Sequence, residues 1–165
     1  MTEGVKILPK KIGYISMFIA ILMLLLIVLS IVNITKREVK IREYKLLASS
    51  LNAREVLEKH LQLKKEKDEK LLKATMTHHN LNTKLHLGNI ATFEVLDIEE
   101  KGSDELAQRY LNNINPYDVT SFNVKYRVEY TKEQEENSGI YSSRYIVIKE
   151  YIDSPWQIYI WGVTF

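Results

Sequence analysis

One long apolar run constrains this chain more than any other feature. Between Lys11 and Lys36 no side chain is charged at neutral pH, and isoleucine, leucine, methionine and valine dominate from Ile12 to Thr35. As an α-helix this run would be about 36 Å long, enough to cross the ~30 Å hydrocarbon core of a bilayer with some tilt. A cleaved signal peptide has a shorter apolar region that ends in a small-residue site. We therefore expect a retained, single-pass transmembrane helix over residues 12–35.

Basic residues flank both ends of the apolar run, so the charge rule for membrane orientation gives a contested answer. Lys10 and Lys11 directly precede the run, and a larger basic group that includes Lys36, Arg37 and Lys40 follows it. A plain count of positive charges favours a cytoplasmic C-terminus. The short N-terminal tail, with its two lysines next to the membrane, favours a cytoplasmic N-terminus instead.

Residues 36–75 are predicted to form a juxtamembrane helix or stalk, because they are rich in residues that favour helices. A broken stripe of leucines runs along this segment and stops before the charged stretch from Lys64 to Lys70. The stripe has two interpretations, which are self-association of the stalk and packing of an amphipathic helix against the chain's own sheet. The candidate self-association residues are Leu47, Leu51, Leu57 and Leu61.

Residues 76–165 have the pattern of a small α+β domain. Apolar and polar residues alternate from Phe122 to Tyr130, which predicts a strand with one buried face. Other predicted strands run from Ile90 to Ile98, from about Ile140 to Ile152 and from Trp156 to Phe165. Ser103 is the predicted N-cap of a short helix. The last strand is apolar on both faces, so we expect it in the centre of the sheet or covered on its second face. The expected fold is a curved antiparallel sheet with helices on one face.

Composition and motifs exclude several kinds of site. The chain has 165 residues, no cysteine and a net charge of +2, so thiolate zinc sites, disulfides and a concentrated basic face for nucleic acid are not expected. The sequence contains no phosphate loop, dinucleotide fingerprint or serine-hydrolase motif. His78, His79 and His86 lack a recognised ligand spacing. We expect no catalytic residue, no metal, no cofactor and no nucleic-acid partner.

Aromatic residues are concentrated in the last third of the chain. Tyrosine and tryptophan favour strands, and they are also the usual anchors of protein interfaces, so core packing and an interaction surface both remain open. Trp156 and Trp161 have opposite parity in the last strand, which would put one of them within reach of a partner. The candidate interaction residues are Tyr126, Tyr130, Tyr145, Trp156, Tyr159 and Trp161.

The order of elements resembles a known architecture. Asn115-Pro116-Tyr117-Asp118 partly matches an Asn-Pro-x-Gly element, with Asp118 in place of the glycine. The layout is similar to the NTF2-like (cystatin-like) folds, and with one membrane helix it looks most like the VirB8-like components of type IV secretion and conjugation systems. That resemblance implies a bacterial cell-membrane protein with residues 1–11 in the cytoplasm and the domain at 76–165 outside it. It also implies contacts with the lipid bilayer, with other subunits of a membrane complex and with copies of itself.

Two functions are therefore expected in order of preference. The first is a non-enzymatic assembly subunit of a conjugative-transfer or type IV secretion channel. The alternative is a membrane-anchored binding module that holds a small ligand or cell-wall fragment in the curved sheet. A deep pocket with converging polar groups would favour the binding module, and a filled or shallow concavity would favour the scaffold.

Overall fold

The computed structural model describes residues 10–111, 114–131 and 137–164, except for the side chains of residues 10–16, 37, 106, 161, 163 and 164. The helices are α1 (Lys10–Ala48), α2 (Ala53–Glu66), α3 (Glu69–Ala74) and α4 (Glu105–Tyr110). The strands are β1 (Ile90–Gly102), β2 (Asp118–Tyr130), β3 (Gly139–Lys149) and β4 (Trp156–Thr164). The chain divides into two compact units between Lys40 and Ile41.

The first unit contains most of α1, which is apolar on all sides. Its most apolar window of 18 residues has a mean hydropathy of 3.0 and none of it is buried, so by length and composition this helix could span a membrane. The hydroxyl of Ser30 donates to the carbonyl of Leu26 at 2.8 Å, which satisfies that polar group without water. The helix continues past the predicted membrane boundary at Thr35 and ends at Ala48.

The predicted stalk is not one continuous helix. After α1 ends at Ala48, the chain turns and α2 begins at Ala53. The Asn52 side chain accepts a hydrogen bond from the Glu55 N–H at 2.9 Å, and the Glu55 carboxylate accepts one from the Asn52 N–H at 2.8 Å. This reciprocal capping box fixes the start of α2. Lys67, in the left-handed conformation with φ 57°, ends the helix.

The sheet is curved and antiparallel, with its four strands in the order β1-β2-β3-β4. Strand β4 therefore lies at an edge and not in the centre. Both of its faces are covered, because Ile158 packs in the core beneath α2 while Tyr159 and Ile160 pack with the cluster beneath α4. The second of the two alternatives for this strand is thus the observed one. On its outer edge, Thr77 N–H donates to the Ile158 carbonyl at 3.0 Å.

Helix α2 covers one face of the sheet, here called the α2 face. Leu57 and Leu61 pack against strand residues that include Phe122, and these three side chains are buried. The last turns of α1 add Tyr44 and Ala48 to the same core. Burial of each large apolar side chain contributes roughly 1.5–3 kcal/mol, so this core is the main attachment of α2 to the sheet.

Helix α4 packs on the opposite face, here called the α4 face, which corrects the expectation that all helices lie on one face. Ala107 and Leu111 pack against Ile146 and Ile148 of β3. These strand residues alternate with Tyr145, which faces α2. Strand β3 is therefore apolar on both sides, and a strand of that kind needs cover on both sides.

Candidate interaction surface

Strand β1 forms the second edge of the sheet. It pairs with β2 from Ile90 to Gly102, and among the described residues no strand pairs with its outer edge. The register shifts between Val95 and Asp97 and again near each end of the strand. Bulges of this kind are a common means of protecting an edge from uncontrolled pairing. Between them, the stretch from Asp97 to Glu100 keeps a regular register with β2.

An open groove of about 380 Å³ lies between β1 and α2, and we call it the edge groove. Its floor is apolar, and one member, Val95, exposes 37 % of its surface. The residues contributed by α2 are spaced by three or four positions, so they lie on one side of that helix. The lining residues are Glu58, Leu61, Gln62, Lys65, Phe93, Glu94, Val95 and Ile98. Helix α2 thus leaves an apolar strip beside β1 uncovered.

On the α4 face, β1 presents a row of carboxylates, which we call the acidic row: Glu94, Asp97 and Glu99. Their partners across the ladder are Arg127 for Glu94, Lys125 for Asp97 and Asn123 for Glu99. Arg127 donates to Glu94 at 2.6 Å. The Lys101 ammonium donates to Glu99 and, as the largest cause, holds the pKa of that carboxyl below its usual value. Acidic side chains of β1 therefore lie opposite basic side chains of β2 on this face.

A polar cleft of about 320 Å³ extends from the acidic row to the middle of the sheet. In it, Arg144 is only 8 % exposed and donates to Asp104 Oδ2 and to Ser121 Oγ, each at 2.9 Å. The other carboxylate oxygen of Asp104 accepts from the Ala107 N–H at 2.9 Å. Asp104, and not Ser103, is therefore the N-cap of α4, and the same carboxylate ties that helix to β3.

One buried acceptor in the polar cleft has no partner. The side-chain oxygen Oδ1 of Asn123 is buried and makes no hydrogen bond. An unsatisfied buried polar atom is costly, so such atoms often mark a place that water or a ligand fills. The residues that line the cleft are Asp97, Glu99, Asn123, Lys125, Ser142 and Arg144.

Part of the predicted aromatic surface forms a ladder on the α2 face. The Tyr126 ring lies 5.1 Å from the Phe93 ring and 6.0 Å from the Tyr141 ring, measured between centroids. The Lys64 ammonium lies 4.9 Å above Phe93 and 5.3 Å above Tyr126. These rings stabilise one another and the lysine, as is typical of aromatic and cation–π packing.

The remaining aromatic candidates differ in accessibility. Tyr145 is completely buried, so it is a core residue and cannot contact a partner while the domain is folded. Its ring meets the ring of His60 edge-on at 5.9 Å. Tyr126, Tyr130, Trp156 and Tyr159 are half-buried, and the side chain of Trp161 lies outside the described residues. For Tyr145, Trp156 and Tyr159 an alternating pattern could not decide between core and surface, because β3 and β4 are apolar at both parities.

Two strongly exposed aromatic residues were not predicted from the sequence as interaction residues. Tyr117 and Tyr151 expose 59 % and 72 % of their surfaces. They lie at the same end of the sheet, since the Tyr117 N–H donates to the carbonyl of Glu150 at 3.3 Å. Both belong to connecting segments, where no periodic pattern distinguishes exposed from buried side chains.

The leucines predicted to mediate stalk self-association are divided between core and solvent. Leu57 and Leu61 are buried against the sheet, and Leu51 is half-buried against the same core. Leu47 is exposed. A self-association seam through Leu57 and Leu61 is therefore incompatible with the packed position of α2, and the intramolecular interpretation accounts for both residues.

His60 is a buried histidine that was not predicted from the sequence. Its Nδ1 lies 2.6 Å from the Thr75 hydroxyl, which itself donates to the Leu72 carbonyl at 2.6 Å. Nδ1 is therefore the donor to Thr75. Burial, followed by the nearby charge of Lys64, lowers the pKa of His60 to about 3. The ring is a neutral member of the core, and its place in the apolar stripe of α2 was the only sequence signal for it.

The other histidines do not converge on a ligand set. His78 and His79 lie in a short 3-10 turn and are exposed, and His86 is exposed with φ 46°. Within the described parts of the chain, no group of three or more His, Cys, Asp or Glu side chains could hold a metal ion.

Comparison with known proteins identifies a family. Residues 54–162 match the family model described as a domain of unknown function, DUF4829. The match begins in the first turn of α2 and ends within β4, so it contains β1, β2, β3 and most of β4 and excludes α1. No curated protein and no solved structure matches the chain. Because the family match spans well over half of the sequence, the chain belongs to the DUF4829 family.

Proposed function

We propose that this chain is a non-enzymatic, membrane-anchored scaffold subunit of a bacterial conjugative-transfer or type IV secretion channel. Its C-terminal domain would lie outside the cytoplasm and act through protein–protein contacts. The observation that supports this most is that the space between α2 and the sheet is filled. Leu57, Phe122 and Tyr145, each with 0 % exposure, occupy the place where a ligand-binding domain of this layout would need a cavity.

The element order also supports the NTF2-like and VirB8-like resemblance. Two helices, α2 and α3, precede a four-stranded antiparallel sheet, and α4 lies in the connection between β1 and β2. The order of helix, strand, short helix and three strands agrees with the layout on which the resemblance is based, although α4 packs on the face opposite α2. The fold alone does not specify function, so the proposal depends on the filled core and on the surfaces that remain open.

The proposed mechanism is tethering. An anchor that holds the domain at a membrane raises its effective concentration toward other components of the same membrane. The domain then needs accessible surfaces, and the structure offers the edge groove, the acidic row and the exposed pair Tyr117 and Tyr151. Tyrosines of this kind often anchor protein interfaces.

The first test is membrane topology. The chain has no native cysteine, so single cysteines are clean reporters. Thr83 is exposed, and its side chain makes no hydrogen bond to the described residues, which makes Thr83→Cys a mild change. A membrane-impermeant maleimide should label Thr83→Cys in intact cells and should label the control Thr2→Cys only after lysis. The reverse pattern would place the domain in the cytoplasm and contradict the proposal.

The second test is function in the cell. Deletion of the chain should lower the frequency of DNA transfer or the amount of secreted substrate at least tenfold, and wild-type chain should restore it. Unchanged transfer and secretion would exclude a channel subunit. The fully buried Tyr145 should be dispensable for this readout in a variant such as Tyr145→Phe, because it cannot contact a partner.

A second candidate function has one specific observation in its favour. The unpartnered Oδ1 of Asn123 lies in a cleft with the carboxylates of β1 on one side and Lys125 beside it on β2, and a small ligand bearing both an amine and a carboxylate would suit these charges. A binding module would show saturable shifts of the Asn123 side-chain amide when D-alanyl-D-alanine is added. These shifts should disappear in Lys125→Ala, and their absence in the wild-type chain would remove this candidate.

A further inference from the structure

We propose that the outer edge of β1 accepts an extended segment of a partner protein in which basic and apolar residues alternate. This inference deepens the scaffold function and rests on it, since it names the surface and the chemistry of the partner. Three features meet here: an outer strand edge with which no described strand pairs, the apolar edge groove on the α2 face and the acidic row on the α4 face.

The strand edge defines an extended occupant. From Asp97 to Glu100, β1 keeps a continuous register with β2, so its backbone is regular over this stretch. The outer edge of such a strand presents N–H and C=O groups in alternate residues, and an added strand satisfies them. A helix laid in the groove would leave these groups unsatisfied by protein.

The two sides of the edge define the alternation. Successive side chains of an added strand point to opposite faces of the sheet. Those on the α2 face would enter the edge groove beside Phe93, Val95 and Ile98, where apolar side chains are buried favourably. Those on the α4 face would lie beside the acidic row.

The acidic row defines the charge. The side chains of Glu94 and Glu99 are 57 % and 56 % exposed although each has one basic partner, Arg127 and Lys101. A carboxylate has two oxygens and accepts further hydrogen bonds, so a second basic group can approach from the open side. Basic side chains beside the acidic row would continue the alternation of charge across the sheet.

Strand β2 is an internal example of such a partner. It carries Lys125 and Arg127 beside the acidic row, while Val124, Tyr126 and Val128 face α2. The inner edge of β1 therefore already pairs with a strand that alternates basic and apolar residues. The outer edge offers the same two environments to a second strand.

A second copy of β1 fits poorly at this position. It would bring its own acidic row against the first, and like charges on neighbouring strands are destabilising. Acidic side chains and bulges on an edge are also a known protection against self-pairing. The occupant is therefore a different segment, rich in lysine or arginine.

The test uses the full chain in detergent micelles and a fluorescent, end-blocked peptide of sequence Val-Lys-Val-Lys-Val-Lys-Val. Fluorescence anisotropy should show saturable binding to the wild-type chain. Binding should weaken at least tenfold in the triple variant Glu94→Gln, Asp97→Asn, Glu99→Gln. The matched control changes the same number of exposed acids away from β1, in Glu66→Gln, Glu69→Gln, Glu105→Gln, and should bind as the wild type does.

Two further variants test the geometry. Methylation of alternate backbone nitrogens along one edge of the peptide should abolish binding without changing its charge, because it removes the donors that would pair with β1. Val95→Lys, at a position that is already partly exposed, should weaken binding by placing a charge in the groove.

Several outcomes would overturn the inference. These are absent binding, equal loss in the charge-matched control, full binding by the methylated peptide, or a dimer of the chain alone that cross-links through Leu96→Cys. Each would leave the scaffold proposal standing if Thr83→Cys is labelled from outside and deletion abolishes transfer. If those two tests fail while the peptide still binds, the channel-subunit proposal is rejected. The inference that the outer edge of β1 accepts an extended segment would then still stand.

Discussion

The two faces of the sheet differ in how they are closed. On the α2 face, side chains from α1, α2 and all four strands form one apolar core. Among the described side chains of the α4 face, the apolar cluster lies under α4, and the polar cleft and the acidic row lie beside it. Neighbouring residues of β2 show the contrast, since Val124 is fully buried and Lys125 is exposed. The comparison indicates that stability resides mainly on one face and recognition on the other face and its edge.

The largest expected effect comes from a substitution in the apolar core of the α2 face. Phe122→Ala should lower the free energy of unfolding by about 4 kcal/mol, because it removes a fully buried ring and leaves a cavity. The matched change Lys125→Ala on the other face should cost less than about 0.5 kcal/mol. Urea unfolding of the full chain in detergent, followed by tryptophan fluorescence, measures both. Equal costs would contradict the contrast between the faces.

The second prediction concerns the pH dependence of folding stability, which we attribute to His60 in the core of the α2 face. The pKa of His60 is lowered from 6.5 to about 3 in the folded chain, so the unfolded chain binds the extra proton between these values. Stability is therefore present above pH 6.5 and is lost as pH falls toward 3, by about 2 kcal/mol between pH 7 and pH 5.

The control for that prediction is His60→Asn, which keeps a donor near the position of Nδ1 and does not titrate. Its unfolding free energy should be lower at pH 7 and should change less than that of the wild-type chain between pH 7 and pH 5. Parallel pH dependences for the two chains would show that His60 is not the cause.

The smallest expected effect is the loss of stability from a substitution at Asp104, on the α4 face. Asp104→Ala should cost about 1.5 kcal/mol, because it removes the N-cap of α4 and the partly exposed ion pair to Arg144. Asp104→Asn should cost about half as much, since asparagine is also a good N-cap. Amide hydrogen exchange should show the loss in α4 and not in α2. Equal losses in the two helices would mean that the faces are not independent.

Much of the strand content could be predicted because it depends on local patterns. The alternation from Phe122 to Tyr130 placed Phe122, Val124 and Val128 in the core, where they are buried. The end of α1 could also have been predicted, because Asn52 and Glu55 have the spacing of a capping box. That signal was masked by the strong helical composition on either side of it.

The rest depends on long-range packing. Because β3 is apolar at both parities, its pattern could not tell whether Tyr145 faces solvent or core, nor on which face α4 would pack. A helix of six residues has too short a pattern to resolve the choice. The edge groove lies where α2 packs beside β1 and leaves Val95 partly exposed, and no local sequence feature fixes the position of α2 on the sheet.

The burial of Tyr44 and Ala48 has a practical consequence for anyone who wishes to express the domain without the apolar part of α1. A gene fragment cut where the family match starts, at Arg54, would discard both of these side chains and the cap residue Asn52. The remaining protein would expose an apolar hole and a frayed helix end to water, which favours aggregation. A fragment that starts near Lys40 keeps these groups, so the natural unit for expression begins inside the long helix and not after it.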